Sequence, residues 1–172
     1  MELLECIQKR VSVRSFSDEP VPEEIVLESI KIGNLAPSAG NLQARDFIIV
    51  TNKDTKKKLM AAAYGQEFLA EAPVVIVCCA NLQRIRSYGK RGIELYCLQD
   101  VAAAIENILL YFVDKGYASC WVGAFDESAV SKILSIPSHA RPVAMLPVGK
   151  PKGITHRTPR LNLESLVHRE KW

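Results

Sequence analysis

The sequence predicts a single α+β domain in which a mixed β-sheet is flanked by helices. Three observations carry that prediction. A chain of 172 residues is close to one domain's worth, at roughly 150 residues per domain. Apolar segments of strand length (residues 47–50, 74–80 and 143–146) are interleaved with segments of helical period, without regular βαβ units. Neither G-x-G-x-x-G nor G-x-x-x-x-G-K-S/T occurs, so a Rossmann or P-loop sheet lacks its phosphate-binding turn.

In chain order, Leu3, Leu4 and Ile7 mark one face of a short opening helix that ends near Arg10. Residues 11–20 read as an irregular connector. Pro22 suits the first position of a second helix, with Glu23 and Glu24 facing the positive end of its dipole. That helix runs through Ile25, Val26 and Ile30 and stops before Pro37. Pro37, Ser38, Ala39, Gly40 and Asn41 form a cluster of turn residues. Between strands at 47–50 and 74–80, residues 54–64 and 66–71 read as short helices. The strongest helical signal runs from Glu94 to Lys115, with Leu95, Leu98, Val101, Ile105, Ile108 and Phe112 at three- and four-residue steps. About 22 residues at 1.5 Å each give ~33 Å, enough for the central core helix. Gly116 stops it. Residues 119–123 follow as a short strand, Asp126 caps a helix over 127–134, and Pro147 limits the strand begun at Val143 to an edge or an end.

Composition narrows the function classes. Hydrophobic residues at 48% supply a real core and exclude a disordered chain. The longest apolar run, residues 72–80, is too short to cross a bilayer. Glu2 and Glu5 stand where a secretory signal carries basic residues, so a soluble cytoplasmic protein without a membrane partner is expected. A net charge of +3 suits an anionic small ligand but is too weak to suggest nucleic acid. The five cysteines are odd in number and irregularly spaced, which is no disulfide framework. Cys78 and Cys79, inside an apolar run, read as buried small hydrophobes. His139, His156 and His168 lack metal-ligand spacing, so no metal site is expected.

Beyond Lys150 the chain turns polar and rich in Pro and Arg, yet Leu161, Leu163, Leu166, Val167 and Trp172 return near its end. Two readings stay open: an extended arm wrapping a neighbouring subunit, or a tail folded back on its own surface. The expected division is a body over 1–150 and an arm over 151–172.

Three distant segments carry candidate chemistry. In an extended backbone, Arg10, Ser12 and Arg14 of R-V-S-V-R fall on one side and form a clamp for phosphate or another oxyanion. Ser38, Asn41 and Gln43 of the second segment offer donors and acceptors to a polar ring edge. Gly123, in W-V-G-A-F, lets a ligand approach the backbone closely.

Taken in order, these segments resemble the nitroreductase family of FMN-dependent oxidoreductases. The match extends to Tyr96-Cys97-Leu98-Gln99-Asp100, to residues 116–125 and to Leu146-Pro147-Val148-Gly149-Lys150-Pro151, covering nearly the whole chain. The resemblance implies a mixed, mainly antiparallel sheet flanked by helices, in an intertwined homodimer with C-terminal arm exchange and two FMN sites at the interface. It places Arg10, Val11 and Ser12 near the FMN phosphate and Arg14 near N1 and O2, where a cation favours the reduced flavin. Pro37, Ser38, Ala39, Asn41 and Gln43 would come from the other subunit to pack on the isoalloxazine. Backbone N–H groups at Val122 and Gly123 would address N5 and O4. Arg160 matches a phosphate-binding arginine, and Arg157 would stand in for a basic position occupied here by Thr158. Where the family often has Pro-Trp after the second motif, this chain reads Ala44-Arg45.

The implied activity is hydride transfer from NADH or NADPH, through flavin N5, to a small acceptor such as a nitroaromatic or quinone in a ping-pong cycle. The flavin carries the chemistry and no side chain acts as nucleophile or base. The alternatives are a non-catalytic FMN-storing or -sensing protein and a specialised dehalogenating or flavin-fragmenting member. Arg84, Arg86, Lys90 and Arg91, beside Tyr88, read either as a mobile cover over the flavin or as a solvated loop.

Overall fold

Strand β2 (Val74–Asn81) is buried along its whole length, and the fold is organised around it. In the computed structural model, which describes all 172 residues, β2 lies between β1 (Arg45–Val50) and β4 (Ala140–Gly149). The short β3 (Ala118–Ser119) completes a four-stranded antiparallel sheet in the order β1-β2-β4-β3. A parallel bridge from Ser12 to Ser119 adds the only parallel pairing.

Period-two alternation along β2 sorts its side chains into two cores. Val75, Val77 and Cys79 pack with Leu59, Leu69 and Val130, from α3 (Lys53–Ala62), α4 (Phe68–Glu71) and α7 (Glu127–Leu134). Val74, Ile76, Cys78 and Ala80 pack on the other face with Val26, Ile105, Ile108 and Phe112, from α2 (Glu23–Asn34) and α6 (Cys97–Asp114). Cys78 and Cys79 therefore face opposite cores. Burial pushes the Cys79 thiol up to about 12 and Cys78 well above its ordinary value, so both are inert apolar fillers.

Helix α6 is the core helix that its periodicity predicts. Its apolar stripe meets the sheet, and Gly33 lets α2 approach so closely that a Cβ there would sit 2.7 Å from Ile108 Cγ1. The helical run begins well before Glu94. A 3₁₀ turn (Arg86–Tyr88), α5 (Gly89–Arg91) and a π turn (Gly92–Tyr96) lead into α6. Together Arg86–Asp114 is long and apolar enough to cross a membrane, but here its apolar side packs inside the domain.

Three further expectations are corrected and one is refined. Leu3 and Leu4, on α1 (Leu3–Lys9), are 68% and 65% exposed, and Cys6 is the side chain that α1 buries. Pro22 precedes α2 as an extended cap residue instead of opening it. The connector over 11–20 holds no full strand but is ordered at its start, where Ser12 bridges Ser119 and Val13 donates its N–H to Ser119 O at 3.1 Å. Pro147 sits in an inner strand. The register that pairs Ala118 with Gly149 carries on to bridge Val122 with Met145, and the gap in this ladder falls opposite Pro147. The missing N–H points into that gap, so the proline costs the sheet no bond with β2.

Every residue of 151–172 is exposed, and the first part of this tail lies along its own chain: Pro151 bridges Phe16 and Lys152 donates its N–H to Ser15 O at 3.0 Å.

Candidate functional site

The extended run beside β3 sends alternate side chains in opposite directions. Val13 is buried in the core, while Arg10, Ser12 and Arg14 line a cleft of about 160 Å³ with Val11. The other wall comes from the far end of the chain: Thr155, His156, Arg157, Thr158 and Arg160. Four arginines and no carboxylate line it.

The four guanidinium groups are not equivalent. Arg157 Nη2 donates to the carbonyls of Ile7, Gln8 and Arg10 at 2.7, 2.5 and 3.1 Å, capping the negative end of α1 and pinning the arm there. Arg160 folds its Nη1 onto Thr158 O at 3.0 Å. Arg10 Nε stands 3.9 Å from Glu106, at the limit of an ion pair. Arg14 has neither an ion pair nor a hydrogen bond. Behind the cleft, burial raises the Cys120 thiol, and Arg14, Ser12 and Arg10 draw it partly back down. Cations gathered with no carboxylate lining the cleft repel one another, and an anion with several acceptor oxygens relieves that repulsion.

Val122 and Gly123 follow on the same line beyond β3. The Val122 N–H donates to Met145 O at 3.0 Å, so it is committed to the sheet and not available to a ligand. Gly123, outside that ladder, keeps its N–H unbonded, with open space around its α-carbon apart from the Trp121 indole.

The turn after α2 is a separate feature. Gly40, Asn41 and Gln43 all have left-handed φ (54°, 57° and 50°), a conformation that costs L residues. Gln43 donates its N–H to Ser38 Oγ at 3.0 Å, and its side chain bridges Asn34 and Asn41. Pro37, Ser38 and Ala39 open onto a shallow cavity of about 370 Å³ with Tyr96, Gln99, Asp100 and Ala103. No residue lines both this cavity and the arginine cleft, so one chain does not bring Pro37, Ser38, Ala39, Asn41 and Gln43 to Arg10, Ser12 and Arg14.

Beneath the turn lies a residue that sequence reasoning noted only as a departure. Arg45 is 3% exposed, and its guanidinium donates to Asn34 O, Ala36 O, Pro37 O, Asp100 O and Asn34 Oδ1 at 2.7–3.3 Å. Its one sequence signal is a charge at the mouth of an apolar strand. Arg84, read as part of a cover or loop, is also tied down: it donates to Gln43 O, Arg45 O and Asp46 Oδ1 at 2.6, 2.9 and 2.8 Å. Arg86, Lys90 and Arg91 stay exposed.

Known proteins share both the sequence and the fold of this chain. The sequence model of the nitroreductase family matches residues 7–66 and 60–150. An Archaeoglobus fulgidus protein provisionally named NADH dehydrogenase/NAD(P)H nitroreductase is 33% identical, across 99% of both chains. An FMN reductase (NAD(P)H) of Bacillus subtilis is 29% identical over 99% of this chain and 74% of its own. The solved structure of NfrA1 from B. megaterium superposes with a TM-score of 0.90 at 28% identity, covering 99% of this chain and 74% of that one.

Proposed function

The chain belongs to the nitroreductase family, and on that premise we propose that it is an FMN- and NAD(P)H-dependent oxidoreductase acting on a small electron acceptor such as a nitroaromatic or a quinone. One observation carries the proposal: guanidinium groups from opposite ends of the chain meet in a cleft that holds no carboxylate.

The residues present fit FMN. Arg10, Ser12 and Arg160 offer cationic and hydroxyl donors to a phosphate. Arg14, free of other partners, presents a permanent charge to the flavin's pyrimidine edge, where it favours the reduced form. The unbonded Gly123 N–H offers a donor to the ring. Arg157 holds the arm in place instead of meeting the phosphate. Bound there, FMN would supply the hydride chemistry between the nicotinamide donor and the acceptor, while these residues would supply orientation and charge.

A second copy completes the site in this reading. The Pro37–Asn41 turn lies outside the cleft of its own chain, so it reaches a flavin only across an interface. Ile154, Leu161, Leu163, Leu166 and Trp172 of the arm, with Leu3 and Leu4 of α1, are apolar and uncovered. Burying such area contributes about 25 cal/mol per Å², which favours an exchanged arm over 151–172 wrapping the body of a partner.

The test is the visible spectrum of the purified protein with an FMN titration, followed by steady-state NAD(P)H oxidation with a quinone or nitroarene. The expected protein is yellow, binds one FMN per chain and turns over. A colourless protein that takes up no FMN overturns the proposal. A bound flavin that stops after a single reduction shows a storage or sensing protein instead.

A further inference from the structure

We infer that Arg45 and Asp100 form a brace that holds the turn at residues 37–43 in its ligand-facing shape before any flavin arrives, which makes them positioning residues for the reading above and rests on it. Arg45 does not line the cavity that the turn opens onto, and Asp100, which borders it, is 4% exposed. They grip its backbone from within, one through carbonyls and the other through an N–H.

Left to itself, a segment with left-handed Gly40, Asn41 and Gln43 would not hold one conformation, because two of the three are disfavoured there. Something must over-determine it. Arg45 takes the carbonyls of Asn34, Ala36 and Pro37, groups at and beyond the end of α2 that no helix or strand satisfies, and a fourth on α6 at Asp100. Asp100 Oδ1 accepts the Ala39 N–H at 2.9 Å. So α6 is tied to the turn twice, once through its backbone and once through its carboxylate.

The charge arrangement fits a brace and not a plain ion pair. Arg45 spends its donors on neutral oxygens, and Asp100 Oδ2 is buried without a hydrogen bond. Burial lowers the Arg45 pKa and the nearby Asp100 charge raises it again, although the guanidinium meets the Asp100 carbonyl and not its carboxylate. Lysine cannot replace this arginine: an ammonium has three donors at one point, whereas the fork spreads five over a plane. From the opposite side, Tyr88 closes over Gly40, where a Cβ would come 2.5 Å from the hydroxyl. The turn is thus held on two sides, with Pro37, Ser38 and Ala39 free to meet a ligand.

A preformed turn removes an ordering cost from cofactor binding. The experiment compares full-length wild type, Arg45→Lys, Asp100→Asn and Asp100→Ala by FMN titration, visible spectrum of the bound flavin and thermal unfolding of the apoprotein. Arg45→Lys and Asp100→Ala are expected to weaken FMN by about ten-fold or more, the effect of losing bonds to a charged group, and to shift the flavin band. Asp100→Asn, which keeps an oxygen for the Ala39 N–H, recovers most of the affinity. Equal FMN affinity and spectra in wild type and both disruptive variants overturn the brace, as does a lowered apoprotein midpoint with unchanged FMN binding. Should Arg45→Lys fail to fold, the Asn and Ala variants at Asp100 decide alone. A wild type that binds no FMN defeats the flavin reading instead and is recognised before any variant is made.

Discussion

Arg14 shows how much a single side chain can state. Its neighbours in the cleft are partly committed, to α1 carbonyls, to Thr158 or to Glu106, while Arg14 has no partner. Arg14→Ala is expected to weaken FMN binding by about 10- to 100-fold, since a hydrogen bond to a charged group contributes about 1.5–3 kcal/mol. Arg14→Lys should lose less, keeping the charge without the fork. Fluorescence titration of FMN measures both, and unchanged affinity in Arg14→Ala removes the residue from the site. Arg10, Ser12 and Arg14 were legible because a two-residue period in an extended strand declares which side chains share a face. Arg45 was not. An arginine in a sequence does not reveal whether its donors meet water or loop carbonyls, and here the answer depends on Asn34, Pro37 and Asp100 arriving from two other elements. The committed Val122 N–H was hidden for the same reason, because its partner Met145 lies on another strand.

Buried thiols give a residue-scale prediction with a definite sign. Cys79 has an ordinary value of 9.0 and is pushed up to about 12 by burial, so it stays protonated in the folded state. Between those values the unfolded chain releases a proton that the folded chain retains, and stability falls as pH rises. Thermal unfolding midpoints should decline from pH 9 upward, and Cys79→Ala should decline less steeply over the same range. Parallel profiles for the two proteins would assign the alkaline loss to other groups.

At the scale of elements, periodicity located every main helix and strand, and it failed where the period itself changes. Residues 86–96 pass from a 3₁₀ turn through an α turn to a π turn, so no single helical repeat persists for a sequence pattern to reveal. Pro147 misled for a different reason. The rule that confines proline to sheet edges concerns a missing ladder bond, and this residue's bond would point at a gap. The α2–α6 packing offers a sharper test. An alanine at Gly33 would bring its Cβ to 2.7 and 2.8 Å from the buried Ile108 side chain and 3.2 Å from the Ala104 carbonyl of the α6 backbone. Although alanine is the better helix former, Gly33→Ala is expected to destabilise the fold by about 1–3 kcal/mol, the usual cost of overpacking. Urea denaturation measures it, and a stabilised variant would mean that α2 is free to move off α6.

At the scale of the molecule, the two halves of the proposed site do not meet within one chain, and the arm explains how they can meet in two. The arm's first stretch is anchored by Arg157 on α1, and its later apolar residues project from the body with nothing over them. A monomer would leave Leu161, Leu163, Leu166 and Trp172 in water, while a dimer with exchanged arms would bury them and carry the turn of one copy to the arginine cleft of the other. Deleting residues 151–172 removes both the apolar contact and Arg160. The wild type is therefore expected to sediment as a dimer and the deletion as a monomer, with FMN affinity reduced by more than the loss of one charged hydrogen bond (about 10- to 100-fold). Arg160→Ala in the full chain separates the two contributions: it should weaken FMN while leaving the dimer intact. A deletion that still sediments at twice the chain mass would move the interface from the arm to α1 and α6, and a wild type that sediments as a monomer would leave the turn without a route to the cleft.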